Sequence, residues 1–140
     1  MKPHYLDSSV ILRVVLNQPG ALKAAKLAPA LISELAEVEC GRVLDRLHLL
    51  GVTDEDELNR RRDSLHELLR EVERLPLDRR ILARAAGPLQ VPLGSLDAIH
   101  LATAVGCAEL HGARLVLATH DRLLARAARL HGLEVVGVAP

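Results

Sequence analysis

His4-Tyr5-Leu6-Asp7, followed by an apolar helical run from Val10 to Leu16, reads as a short buried strand that stops at a carboxylate and gives way to a helix. The same plan returns near the other end. Arg114 to Ala118 is the clearest strand of the chain, Thr119-His120-Asp121 follows, and residues 121–130 carry a helical pattern. In an open parallel sheet, ligands bind beyond the carboxyl ends of the strands, where strand order reverses. If these two strands are central neighbours, Asp7 and Asp121 face one crevice.

The remaining punctuation fills in around this pair. Residues 21–27 read as a short helix broken by Pro29, and Ala30-Leu31-Ile32 as a strand ending at Ser33. A helix is expected over 34–49, closed by Gly51, and Thr53-Asp54-Glu55-Asp56 is a capping signal for another reaching about Arg74. Leu75-Pro76-Leu77 reads as a brief edge strand, and residues 78–86 as a helix ended by Gly87-Pro88. Ser95 is expected to cap a helix running to about Leu110 and closed by His111-Gly112. Residues 133–138 form the last strand candidate. Alternating strands and helices without a long structureless linker predict one α/β domain over residues 1–140, with a small, mainly parallel sheet flanked by helices. Two helices in a row between residues 34 and 74 suggest a small arm or clip.

Composition narrows the function. A chain of 140 residues can bury a sizeable core. Its 18 Lys+Arg balance 18 Asp+Glu, so overall basicity does not mark it as a nucleic-acid binder, and any such role rests on local patches. Cys40 and Cys107 have neither metal-finger spacing nor the number for a disulfide framework, which points to a reducing cytoplasm. With no run of 18 apolar residues and no signal-peptide core, the expected protein is soluble and cytoplasmic. Phe and Trp are absent and Tyr5 is the only aromatic residue, which argues against holding single strands by base stacking.

Two more carboxylates fall where burial is expected. At 3.6 residues per turn, Glu39 shares a helical stripe with Leu35 and Val43, with Leu50 close by. Asp97 shares one with Leu101, Ala104 and Ala108. Each acid has a plainer reading. Asp7, Asp97 and Asp121 could be helix-start residues, gaining roughly 0.3–1 kcal/mol from the helix dipole. Glu39 could pair with Arg42 or Arg46. His100 and His120 could be acid–base groups, but an ordinary packed helix histidine is the plainer account of His100, and His120 is equally open.

Gathering all four acids has a consequence. Two negative charges about 4 Å apart repel by roughly 4 kcal/mol at an effective dielectric near 20. Some of the group must then protonate, or a hard cation must sit among them. An oxygen-only set suits Mg²⁺ or Mn²⁺. The seven histidines show no zinc-ligand spacing. A dehalogenase-type phosphatase would want an Asp where Ser9 stands, and neither a dinucleotide or phosphate-binding Gly-rich loop nor a serine-hydrolase elbow is present.

Taken in order, Tyr5-Leu6-Asp7-Ser8-Ser9, Ser33 to Glu39, Leu96-Asp97-Ala98-Ile99-His100-Leu101-Ala102-Thr103-Ala104 and Thr119-His120-Asp121 resemble the PIN-domain family, specifically its VapC-type toxin ribonucleases. The resemblance spans nearly the whole chain. It implies a three-layer α/β/α fold and a Mg²⁺- or Mn²⁺-dependent endoribonuclease, the toxin of a type II toxin–antitoxin system. By resemblance Asp7, Glu39, Asp97 and Asp121 are the catalytic and metal-binding acids, and Ser8 and Thr119 are supporting hydroxyls. An antitoxin that places an Arg among the acids, an RNA substrate and a homodimer are implied partners. Gln18 stands where relatives often carry Glu and receives no role. Arg13 and Arg42, each about a turn past a site carboxylate, are candidate phosphate contacts, or salt-bridge partners of those carboxylates. Arg60-Arg61-Arg62 and Arg79-Arg80 could clamp a backbone but read more simply as solvated helix faces. The rival expectations are a non-catalytic PIN-like interaction module and a DNA nuclease of related fold.

Overall fold

Strands of three or four residues suffice when both faces are covered, because successive side chains point to opposite sides. Here Tyr5, Leu31 and Leu117 enter one core, while Leu6, Ile32 and Ala118 enter another. The computed structural model of the chain describes residues 2–111, apart from the His111 side chain, and 114–139. In chain order the elements are β1 (His4–Leu6), α1 (Ser8–Val15), α2 (Ala24–Leu27), β2 (Ala30–Ser33), α3 (Glu34–Leu49), α4 (Glu55–Arg70), β3 (Glu73–Leu75), α5 (Arg79–Ala86), α6 (Ser95–His111), β4 (Val116–Ala118), α7 (Arg122–Leu130) and β5 (Glu134–Val136).

The sheet is parallel throughout, with order β3-β2-β1-β4-β5. β1 and β4 are central neighbours, with Leu6 opposite Ala118. The chain winds one way from β1 to β2 and β3, then crosses back to β4 and β5, so the carboxyl ends of β1 and β4 flank the switch point. One face is covered by α1, α2, α3 and α4 over a core that includes Ile11, Ile32, Cys40 and Leu65. The other is covered by α6 and α7 over Tyr5, Leu101, Leu117 and Leu124. This is the three-layer α/β/α arrangement expected.

Several boundaries differ from expectation for physical reasons. Residues 73 and 74 read as helix but lie in β3, where Leu31, Ile32 and Ser33 of β2 pair with Glu73, Arg74 and Leu75. Leu75-Pro76-Leu77 contributes only its first residue to that edge strand. The start of α2 moves in to Ala24. Ser95 is the first residue of α6 rather than its cap, and the Gly94 carbonyl accepts from Ala98 N at 2.9 Å. The expected stop of α6 at His111-Gly112 lies partly outside the described residues. The α3–α4 pair is no free arm. Ala36, Cys40 and Leu44 of α3 and Leu58, Leu65 and Leu69 of α4 are core residues, so Leu44 and Leu65 offer no partner surface. The pair exposes large apolar side chains at Val38 on α3 and at Leu49, Leu50 and Val52 around the turn. Among the described residues no helix is long and apolar enough to cross a membrane.

Candidate active site

Asp7 ends β1. Its amide donates to Ala118 O at 3.1 Å, and it caps α1 by accepting from Val10 N at 3.2 Å on Oδ1. The residue is buried, and both carboxylate oxygens are held. Ser9 Oγ donates to Oδ1 and Thr119 Oγ1 donates to Oδ2, each at 2.6 Å. The same hydroxyls accept from the next loop: Thr119 Oγ1 from the Asp121 amide and Ser9 Oγ from the His120 amide, both at 3.0 Å. The segments after β1 and β4 are thereby stitched together around one carboxylate. Asp121 caps α7, accepting from Leu124 N at 2.8 Å. The plain helix-start role is therefore real for Asp7 and Asp121. It leaves further lone pairs on each carboxylate, which can accept at about four positions.

Glu39 comes from the second turn of α3. The buried line of that helix is Ala36, Cys40 and Leu44, so Glu39 sits beside the apolar stripe and not in it. Its side chain is still only 16 % exposed. Oε1 accepts from Ser8 Oγ at 2.6 Å and from His100 Nε2 at 2.6 Å. Burial alone would raise the pKa of this carboxyl. The His100 hydrogen bond, the positive charge that ring carries when protonated, and the Ser8 hydroxyl outweigh burial and hold it below its usual value. The expected pairing of Glu39 with Arg42 or Arg46 does not form.

Asp97 is the third residue of α6 and half-buried. Burial, then the negative charges of Asp121 and Asp7, push its pKa up to about 6; His100 opposes this and Glu39 adds to it. Asp7 and Asp121 follow the adjacent strands β1 and β4, and Ser8 and His100 link Glu39 to the start of α1 and to α6, the helix that carries Asp97. Among the described residues, no three His, Cys, Asp or Glu side chains form a ready metal-binding group. All-oxygen donors around an anion that the fold disfavours nonetheless fit a hard divalent ion, which keeps several waters and takes one or two carboxylates directly.

That imbalance gives a stability prediction. A carboxyl whose folded pKa is raised stabilises the fold fully below its ordinary value near 3.8, and the benefit is lost as pH climbs through about 6. Two pKa units amount to about 3 kcal/mol, reduced to about 1–2 kcal/mol by solvent around a half-buried group. Metal-free Asp97→Asn should therefore melt a few degrees above wild type at pH 8, and the two should converge at pH 4. Thermal melts across that range check it. A lower Tm for the variant at pH 8 would make Asp97 a helix-dipole residue and no more.

Neither arginine singled out beside the acids meets them. Arg42 turns outward to Asp45 at 3.0 Å, and Arg13 lies in the last turn of α1, against Gly20. Arg61 and Arg62 are likewise occupied. Arg61 donates to the Val15 carbonyl at 3.0 Å and to Glu57 at 3.2 Å, and Arg62 lies 3.8 Å from Asp45. Three polar residues outside the expected set do belong to the site region: Ser9, His100 and Tyr5. His100 is buried, with Nε2 on Glu39 and Nδ1 2.6 Å from the Tyr5 hydroxyl. The available signals were the single aromatic residue of the chain, lying two positions before Asp7, and a histidine three residues after Asp97.

A parallel α/β domain with acids gathered at the carboxyl edge of its two central strands is the class defined so far. The chain belongs to the PIN domain family, whose model matches residues 4–136. It is 32 % identical to Ribonuclease VapC46 of Mycobacterium tuberculosis over 136 residues, 94 % of this chain and 95 % of that protein. Its fold resembles that of PAE2754 from Pyrobaculum aerophilum, at TM-score 0.65 and 20 % identity over 96 % of this chain and 90 % of the other. FitAcB from Neisseria gonorrhoeae matches at TM-score 0.63 and 21 % identity, over 94 % and 95 %. A toxin–antitoxin complex from Klebsiella pneumoniae matches at TM-score 0.60 and 22 % identity, over 98 % and 96 %.

Proposed function

We propose that this chain is a divalent-metal-dependent endoribonuclease, acting as a single domain and as the toxin of a toxin–antitoxin pair. The observation that supports the reading best is that Asp7 and Asp121 follow adjacent parallel strands, with Glu39 bonded to Ser8 beside Asp7 and Asp97 disfavoured as an anion by burial and then by the charges of the other acids. Likeness to a protein named as a ribonuclease, and to structures that include a toxin–antitoxin complex, supports it.

Asp7 and Asp97 would be the main ligands of a Mg²⁺ or Mn²⁺ ion, with Glu39 and Asp121 acting directly or through water. When bound, such an ion supplies an activated water and charge stabilisation for the leaving 3′-oxygen. The protein's own contribution is placement. Thr119 and Ser9 hold Asp7 by both oxygens, and Ser8 holds Glu39. None of these groups needs to become covalently attached to RNA.

The chemistry also suits a partner. An acid cluster that repels itself without a cation would accept an antitoxin arginine in the cation's place, and the exposed Leu49, Leu50 and Val52 turn offers apolar area for a second copy of the chain. Cleavage of a labelled single-stranded RNA and its DNA equivalent, titrated with Mn²⁺ and Mg²⁺, tests the activity. RNA cleavage that rises with metal and stops with chelator is expected. Equal cleavage of DNA would make this a general nuclease, and no cleavage of either would leave a binding module.

A further inference from the structure

Tyr5 is the only aromatic residue of the chain, and it is fully buried in the middle of the sheet beside a buried histidine. Its hydroxyl lies 2.6 Å from His100 Nδ1, with the two rings edge-on at 5.8 Å between centroids. The other ring nitrogen, Nε2, lies 2.6 Å from Glu39 Oε1, and Ser8 Oγ donates to the same oxygen. An ionised carboxylate can only accept, so Nε2 carries a hydrogen. In the neutral imidazole Nδ1 is then the acceptor, and the phenol, kept protonated by burial, donates to it. Tyr5 O–H to Nδ1 and Nε2–H to Oε1 form a one-way chain ending on a site carboxylate. It joins β1, α6 and α3.

Packing alone does not call for this arrangement. A Phe with an aliphatic partner would fill similar volume with no polar atoms to satisfy, whereas a buried hydroxyl or ring nitrogen costs roughly 1–3 kcal/mol if its bond is lost. Nor is His100 available as an acid or base for substrate, since both its nitrogens are committed inside the protein.

We propose that Tyr5 and His100 are positioning residues for Glu39. The carboxylate sets the hydrogen on Nε2, the phenol holds the ring by Nδ1, and the imidazole pins Oε1, so that Oε2 is the oxygen left to serve the site. This rests on the endoribonuclease reading for its functional consequence, but the lock itself is a property of the metal-free chain.

The test uses Tyr5→Phe, His100→Gln and His100→Leu with two readouts. Nitrogen-15 NMR of histidine-labelled, metal-free protein reports the tautomer, with His100 assigned from its loss in His100→Gln. Wild type and Tyr5→Phe should both show the Nε2–H form, with the Nδ1 resonance of Tyr5→Phe moved downfield by loss of its hydrogen bond. In RNA cleavage at saturating Mn²⁺, Tyr5→Phe should lower kcat about tenfold with KM within about twofold, the scale seen when outer partners of ligating groups are removed. His100→Gln, whose amide can still donate to Glu39, should keep more than about a third of kcat, while His100→Leu should fall as far as Glu39→Gln. A wild-type Nδ1–H form, or Tyr5→Phe with unchanged Nδ1 resonance and kcat, overturns the proposal, as does an effect confined to KM. If wild type cuts no RNA, the endoribonuclease reading fails, and the nitrogen-15 comparison alone then upholds or overturns the lock.

Discussion

Asp7→Asn is expected to lower metal-dependent RNA cleavage by about 10³-fold or more while leaving the fold in place. The two halves of that expectation come from different parts of one side chain. As a helix cap, Asn is as good as Asp, and its amide oxygen can still accept from Val10 N or from Thr119 Oγ1, the partners seen here. What is lost is the negative charge, and with it the attraction for a cation. The amide NH₂ must also take the place of an oxygen that now accepts a hydroxyl, so one of the two 2.6 Å bonds has to reorganise. A Tm within a few degrees of wild type together with lost cleavage is the expected pair of results. Full activity in Asp7→Asn would remove Asp7 from the chemistry.

Gly137→Ala should be the most damaging single methyl that can be added near the site. Gly137 has φ +103, a backbone conformation that L side chains rarely adopt, and a Cβ there would overlap the Thr119 carbonyl oxygen. The neighbouring backbone cannot easily retreat, because the Thr119 amide donates to Val136 O at 3.0 Å and His120 Nδ1 donates to Gly137 O at 3.0 Å. Strain and overpacking together come to about 3 kcal/mol, or roughly 10 °C in Tm for a chain of this size. Any relief must come from moving Thr119, which braces Asp7, so cleavage should fall along with stability. Gly51→Ala is the control. Its φ is +76, but a Cβ there meets nothing within 4 Å, so it should cost only about 1 kcal/mol and leave cleavage alone. Equal losses in the two variants would mean that crowding against the Thr119 loop is unimportant.

The layer order and the two switch-point strands were readable because they depend on local pattern: an apolar run, a carboxylate, then a helix. Residues 34–49 are helical from end to end as their spacing predicts. β3 was not readable in Glu73 and Arg74, since nothing about those side chains favours a strand; pairing with β2 imposes it. The position of Glu39 was misread by one step around α3, because Val43 and Leu35 looked like core residues and the line actually buried contains Ala36 and Cys40. The partner of Glu39 was beyond pattern reasoning. A histidine 61 positions away meets it only after α6 packs across the sheet, whereas the arginine three residues away faces outward to Asp45.

The hydrogen bond between Asp7 and Thr119 spans 112 positions of the chain. One of its partners is therefore made 112 residues before the other. A nascent polypeptide holds Asp7 by Ser9 and Val10 alone until Thr119 has been made, and Asp121 arrives two residues later still. Until β4 has been made and paired with β1, Asp7 and Asp121 cannot meet.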